Sequence, residues 1–563
     1  MTKPRFIKSK YFFLLLILLL GSLLRFYKLG QIPSGFVSDE ASFGYNAYSL
    51  IKTGKDEFGQ SWPIIFRSFG DGKMPVYFYL TIPSVLILGL TELAVRLPSA
   101  LLGSITVLLV YLFIRELAPK RKNFALFSAL VLATLPWHIH FSRAAFEANL
   151  GLFFITLGSW LFLRFVNHRQ NKALFFSLFS FTMAIFSYHA PRIFVPLWLV
   201  YLIWYFRKKI NLKKTIISLA IIVALPWVLL TFSKQSLLRA GGITIFHQQS
   251  GVFQRLEQKF TQTRNQPLLL TRALHNRPVE YSLDFLRRYF SHFDSDFLFF
   301  TGDPIRPRYR SPDVGQSLWF GLPFFFIGLY FLAKHRLWPI LIWLILAPIS
   351  SAITFETPSS IRALLMITPL ALTLALGASE TISWLRKQKT FVQPLLLLIV
   401  SVFVYSLVHY LDAYFIHLPV HQPYEWQGGY KQLVEKVTEL MPNYDKAVIT
   451  DARGTPYIYF LFYNQYNPAR WHAQAEESIT IDPKFKYISI GKLDNLYFVS
   501  KTCPANPKKW SPDSDIPEAN VLYVCTEEHH PINLLNDGTL RVIDTIYFDD
   551  GQPAFVLMEK VSG

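Results

Sequence analysis

Apolar runs about as long as a bilayer is thick dominate this chain. They cover 11–27, 98–114, 124–140, 149–165, 173–189, 191–206, 215–232, 316–333, 337–353, 362–384 and 391–411. Each is close to the ~20 residues a helix needs to cross a ~30 Å hydrocarbon core. A further run, Pro75–Leu90, is shorter and holds prolines at 75 and 83. The basic residues between the runs decide its place. If it crosses, Arg115–Lys122 lies outside, and every later basic loop falls on the wrong side. If it lies along the interface, segments 1–10, 115–123, 164–172, 207–214, 334–336 and 385–390 share one side. These hold 21 of the 56 Lys and Arg residues and a single acid, Glu116. Short loops with that bias face the cytoplasm. The pattern predicts eleven transmembrane helices, with the N-terminus cytoplasmic and the C-terminus outside. No small-residue cleavage site follows Leu24, so the first run is expected to stay as a helix.

Residues 1–411 are thus a transmembrane domain with two large external loops, 30–97 and 233–315. Residues 412–563 read as an extracytoplasmic soluble domain. Their pattern gives a helix at 425–441, a strand at Ala447–Thr450 and a helix near 455–465. Strands follow near 486–490, 496–500, 520–525, 541–548 and 553–559. Helices alternating with short strands predict a small α/β or α+β domain.

Composition narrows the class. The 563 residues are 52% hydrophobic, 16% aromatic and 17% charged, against about 25% charged in soluble domains. A soluble multidomain enzyme, a disordered chain and a disulfide scaffold are excluded. The net charge of +19 sits in the short cytoplasmic clusters. No basic stripe with interleaved aromatics marks a soluble segment, so no nucleic-acid partner is expected. The two cysteines, Cys503 and Cys525, lie in the external domain and suit either a disulfide or two free thiols. No cysteine–histidine spacing suggests a structural zinc site.

Polar groups in or beside a bilayer are costly, which makes the few present informative. SGFVSDEASFGYNAYSLIKTG (34–54) carries the adjacent acids Asp39 and Glu40. The residues after them (Ala41, Tyr45, Tyr48, Leu50) read as a short amphipathic helix lying on the membrane, whose N-terminus the acids would also cap. PWHIHFSRAAFEANLG (136–151) holds His138, His140, Arg143 and Glu147. Arg143 and Glu147, four residues apart, suit an internal ion pair as well as a substrate. FGDGKMPVYFYL (69–80) sets Lys73 at the head of the interfacial helix, where it either snorkels to headgroups or binds a lipid-linked phosphate. Arg192 and Arg362 are further cations at outer helix ends, with the same two options. SHFDSDFLFFTGDPIRPRYR (291–310) adds acids, aromatics and arginines to the second loop. P-loop, GxGxxG, HExxH and GxSxG motifs are missing from the sequence, so nucleotide chemistry, zinc proteolysis and acyl transfer have no support.

The ordered set SDE (38–40), Gly59 with Trp62-Pro63, KMPVYFYL (73–80), GLTELAVRLPSALLGSITVLLVYLFIREL (89–117) and SRAAFEANL (142–150) resembles the lipid-carrier-dependent glycosyltransferases of the GT-C superfamily. Within it, the set is similar to protein O-mannosyltransferases and the aminoarabinose transferases of lipid A. The resemblance runs through roughly 10–200, with a weaker echo in 285–380. The chain departs from the family pattern with Lys73-Met74-Pro75 for Lys-Pro-Pro and Glu147 for Asp. No histidine stands in Arg306–Arg310.

The resemblance implies a sugar donor on a polyprenyl phosphate and an acceptor hydroxyl on a protein, glycan or lipid, at the outer face of the cell membrane. Asp39 is then the general base and Lys73 the phosphate ligand, with Arg143, Arg192 and Arg362 as further cations. Glu147 positions the acceptor or pairs with Arg143, and Glu40 is left a donor-positioning role. No metal or cofactor is expected to be obligatory; a divalent ion, if bound, falls to Asp39 and Glu147. A transporter of lipid-linked sugars and a non-catalytic receptor or assembly protein remain the alternatives.

Overall fold

A computed structural model describes residues 9–232, 242–247, 250–263, 268–388, 392–481, 488–500, 503, 505, 520–526 and 538–561. The chain opens with α1 (Ser9–Phe26), α2 (Ser38–Thr53), a hairpin of β1 (Phe66–Ser68) and β2 (Asp71–Lys73), α3 (Pro75–Leu88) and α4 (Glu92–Leu117). It continues through α5 (Lys122–Thr134), α6 (Pro136–Arg143), α7 (Glu147–His168), α8 (Asn171–Ile185), α9 (Pro191–Phe206) and α10 (Leu212–Thr231). The second loop supplies α11 (Val252–Gln262), α12 (Leu268–Leu274) and α13 (Arg277–Ser291). Then come α14 (Leu322–Lys334), α15 (Trp338–Leu346), α16 (Ile367–Leu385) and α17 (Val392–Asp412).

Five of these spans are long and apolar enough to cross a membrane: α4, α7, α10, Leu364–Leu385 and Val392–His417. The bent pair α5–α6 makes a sixth, and shorter apolar helices occupy the other expected runs. The protein is a multi-pass membrane protein. Two expected spans are interrupted where proline removes a helix N–H. The run 124–140 bends by 54° between α5 and α6, because Pro136 forces Leu135 into extended backbone (ψ 118°). The run 337–353 breaks at Pro348, after which only Ile349–Ala352 is helical. Pro75–Leu88 is a helix of 14 residues, about 21 Å at 1.5 Å per residue, too short to cross unaided.

The chain forms two compact units: residues up to Tyr27 with Ser99–Ala413, and Lys28–Pro98 with Tyr414–Gly563. This corrects the expected division at 411. The first loop belongs with the C-terminal part, because its aromatic and small residues pack there. Rings of Phe36 and Phe462 lie 4.9 Å apart. A Cβ on Gly44 would stand 2.4 Å from the Phe462 ring, so only glycine permits that approach. Tyr45 donates to the Tyr466 carbonyl at 3.1 Å, and Tyr463 to Glu92 at 2.8 Å. The expected surface helix is therefore an interior one: α2 is buried from Glu40 to Ala47 and again at Ser49 and Leu50.

The C-terminal part of this unit carries α18 (Tyr430–Leu440), β3 (Lys446–Thr450), α19 (Tyr457–Tyr463) and α20 (Pro468–Ala475). After these come β4 (Ile479–Ile481), β5 (Ile488–Ile490), β6 (Lys492–Leu493), β7 (Leu496–Val499), β8 (Val521–Cys525), β9 (Leu540–Tyr547) and β10 (Pro553–Lys560). The main sheet runs β6-β7-β3-β8-β10-β9. β3 is parallel to β7 and β8, and the edges are antiparallel. One face buries Val448, Val521, Tyr523, Val556 and Met558 against the Cys503–Cys525 disulfide, which settles the state of the two thiols. Every expected strand is present; residues 486–487 of one lie outside the described residues.

Candidate active site

The two adjacent acids part company at the start of α2. Successive helical residues point about 100° apart, and here one side chain goes inward and the other outward. Glu40 is fully buried, and its two oxygens accept from Arg96 Nε at 2.9 Å and Nη2 at 3.0 Å. The same guanidinium donates to the carbonyls of Leu29 (3.3 Å), Pro33 (2.9 Å) and Gly35. Glu40 also accepts from the Val37 N–H at 3.3 Å. The expected donor-positioning role does not fit a carboxylate closed in this way; Glu40 fixes the loop ahead of α2. Arg96 escaped the sequence reading, although a lone cation inside the apolar stretch ELAVRLPSALL was a signal.

Asp39 faces outward, with 47% of its side chain exposed, and forms an ion pair with Lys73, whose side chain is 10% exposed. Lys73 ends β2, two residues before the proline that opens α3. Its ammonium lies over the rings of Phe69 (4.8 Å) and Phe43 (5.3 Å). Cation–π contact of this kind holds a lysine in place while leaving donors available. The first loop therefore joins two of the expected residues, an open carboxylate and a fixed cation.

Behind them lies a polar cluster the sequence reading missed. Glu57 is fully buried and bonded to Asn46 Nδ2 (3.0 Å), Tyr457 Oη (3.3 Å) and Ser42 Oγ (3.5 Å), while its N–H meets Asn46 Oδ1 at 2.9 Å. Burial pushes the Glu57 carboxyl up to about 7; nearby Asp56 adds to the rise, and Asn46, Lys73 and Tyr457 oppose it. Asp56 is also raised by burial, although it accepts from the N–H groups of Phe58 and Gln60.

The buried Glu57 carboxyl makes stability depend on pH. The folded state binds this proton more tightly than the unfolded chain, whose ordinary value is 4.5, so the contribution is full below that pH and lost as pH rises through about 7. Glu57→Gln should therefore melt like the parent near pH 5 and above it near pH 8, by a margin on the order of 1–3 kcal/mol. Thermal melts at both pH values check it; an equal difference at each would contradict the assignment.

The remaining expected residues lie in the other unit. Arg143, expected as a phosphate cation, is fully buried and donates to the carbonyls of Leu24 (2.9 Å), Arg25 (3.2 Å) and Tyr27 (2.6 Å). It closes the C-terminus of α1, where helix carbonyls lack partners. Arg25 binds the carbonyls of Leu132 and Ala133 and the His138 Nδ1, and His140 pairs with the Arg308 carbonyl at 2.8 Å. Glu147 opens α7, and Arg192, in the first turn of α9, feels its charge. Arg362 binds Glu356 (2.8 Å) and Thr354 (2.9 Å), and Arg306 shares Glu356 at 3.0 Å. Burial pulls the Glu356 carboxyl up, but the two arginines outweigh it and leave it below its ordinary value. Among the described residues no three His, Cys, Asp or Glu side chains gather around a metal-sized site. Asp39 and Glu147 fall in different units.

Residues 72–232 match the family model described as dolichyl-phosphate-mannose-protein mannosyltransferase. That stretch holds Lys73, Arg143, Glu147 and Arg192. An uncharacterised protein of Aquifex aeolicus (strain VF5) is 28% identical over 173 residues, 31% of this chain and 34% of that one. The chain thus spans about a third of this curated relative. ArnT from Cupriavidus metallidurans, solved with bound undecaprenyl phosphate, matches with a TM-score of 0.53 at 12% identity over 98% of each chain. The oligosaccharyltransferase of Archaeoglobus fulgidus, tethered with an acceptor peptide, gives 0.48 at 14% identity over 81% of this chain and 63% of that one. The fold is similar to that of ArnT.

Proposed function

We propose that the protein is a membrane glycosyltransferase that moves a hexosyl or pentosyl residue from a polyprenyl-phosphate carrier to an acceptor hydroxyl on a protein, glycan or lipid. The observation that carries this is the pairing of half-exposed Asp39 with the fixed ammonium of Lys73, in a chain with the ArnT fold. In this scheme the N-terminus is cytoplasmic, and the unit holding Asp39 faces the outside of the cell membrane.

The chemistry needs little more. A phosphate already leaves readily, so the paired acid and base of a glycosidase are unnecessary. The acceptor oxygen bonds to the sugar's anomeric carbon as its proton passes to Asp39. The carbon–oxygen bond to phosphate breaks, and its electrons stay on the phosphate. Lys73 has three N–H donors, enough to hold Asp39 and a phosphate oxygen together. The scheme uses no obligatory cofactor.

Membranes incubated with a panel of radiolabelled polyprenyl-phosphate sugars should transfer label out of the lipid fraction for at least one donor. Retention of label in lipid by the whole panel, with the protein present and folded, would defeat the proposal. Lys73→Ala should raise the donor KM roughly tenfold or more, as loss of a charge-assisted hydrogen bond worth about 1.5–3 kcal/mol implies. Lys73→Arg should keep part of the affinity. An unchanged donor KM in the alanine variant would confine Lys73 to holding Asp39.

A further inference from the structure

The first turn of α2 is held by a side chain almost 400 residues later in the sequence. Gln427 Oε1 accepts from the backbone N–H of Ser38 at 2.6 Å and from the Tyr459 hydroxyl at 2.8 Å. Its Nε2 donates to the Arg453 carbonyl at 3.3 Å. The amide is thus fixed on both sides. Tyr459 is itself fully buried and stacked on Tyr430, with ring centroids 4.1 Å apart and 10° between planes. The Gln427 backbone adopts φ 54°, a left-handed conformation that residues other than glycine seldom take. It leads through Gly428-Gly429 into α18, which carries Tyr430.

A helix leaves its first N–H groups without partners inside the helix. Val37, at the cap position, offers no side-chain acceptor to α2. Two side chains take up the work: Glu40 accepts from Val37 N–H, and Gln427 accepts from Ser38 N–H. Ser38 is bonded directly to Asp39, so the direction of the Asp39 carboxylate depends on where that N–H is held.

We propose that Gln427 is a positioning residue for the transfer reaction, setting the first turn of α2 and with it the Asp39 carboxylate, so that the C-terminal α/β part is a component of the catalytic framework. This rests on Asp39 being the base. Charged and titratable groups near Asp39 include Lys73, paired with it; Glu40, neutralised by Arg96; Tyr459, which burial keeps as a neutral phenol; and Glu57, which feels the charge of Lys73. Gln427 is uncharged, and that permits a clean test.

The test uses the full chain in membranes, with whichever radiolabelled polyprenyl-phosphate sugar supports transfer. Gln427→Leu removes all three hydrogen bonds and should lower kcat roughly tenfold or more, as misplacing a reacting group does, while donor KM stays within about twofold because Lys73 is untouched. Gln427→Glu keeps both bonds to Oε1 and adds a carboxylate near Asp39. It should recover most of the turnover at alkaline pH and move the acid limb of the kcat profile up by at least about half a pH unit, since a like charge favours protonated Asp39. Parental kcat in Gln427→Leu, or an unshifted acid limb in Gln427→Glu, would overturn the proposal. If Gln427→Leu fails to fold, the acid limb of Gln427→Glu decides alone. Near-parental turnover in Asp39→Asn would remove the base assignment underneath, a result distinguishable from failure at Gln427.

Discussion

Asp39→Asn should accumulate and melt like the parent, bind the lipid-linked donor, and transfer sugar at least ~100-fold more slowly. An acceptor hydroxyl has a high pKa, so it attacks only as its proton leaves. Among the acids of the first loop, Asp39 is the half-exposed one on α2, while Glu40 and Glu57 are closed inside. Asparagine keeps the size and the α2 start but cannot take a proton. The loss belongs in kcat, because the donor phosphate is assigned to Lys73. Freeing Lys73 from its carboxylate partner gives donor affinity no reason to fall. Steady-state kinetics at matched protein levels, with a donor-binding control, separate the two parameters. Should Asp39→Asn turn over near the parental rate while Glu147→Gln does not, the base is in the other unit.

Much of this arrangement was legible in the sequence because it is local. The strands at 446–450, 496–499, 521–525, 540–547 and 553–560 announce themselves as short runs rich in β-branched and aromatic residues, and Lys73 and Asp39 stand out as charges beside apolar runs. Pro136 and Pro348 carried the signal for the broken spans, but apolar length alone masked it. What stayed hidden is pairing over long sequence distance. Nothing local to Ser42, Asn46 and Ser49 shows that Glu57, Lys55 and Asp56 satisfy them, so α2 read as a surface helix. Likewise nothing near 411 shows that Phe36 meets Phe462 or that Gln427 meets Ser38. Periodicity reports which face of an element is apolar; it does not name the partner that covers it.

The neighbouring acid should behave in the opposite way. Glu40→Gln and Arg96→Met are each expected to lower thermal stability sharply, and to lower turnover only in proportion to folded protein. The pair is fully buried, at 2.9 and 3.0 Å, and removing one member of such a pair strands the other charge in a dry site, typically costing about 3–5 kcal/mol. Arg96→Met also frees the carbonyls of Leu29, Pro33 and Gly35, so it should be the more damaging of the two. A buried ion pair stabilises little against well-packed apolar residues of similar volume, because desolvation offsets most of the attraction. The double variant Glu40→Leu with Arg96→Met should therefore recover part of the loss seen in either single variant. Since a large membrane protein need not unfold in one step, melting in detergent and limited proteolysis of the first loop are the suitable readouts, alongside transfer per folded molecule. Single variants that melt like the parent while losing turnover would put Glu40 in the chemistry beside Asp39. Loss of stability with turnover per folded molecule kept would separate two adjacent carboxylates by role, one holding the loop and the other facing the substrate.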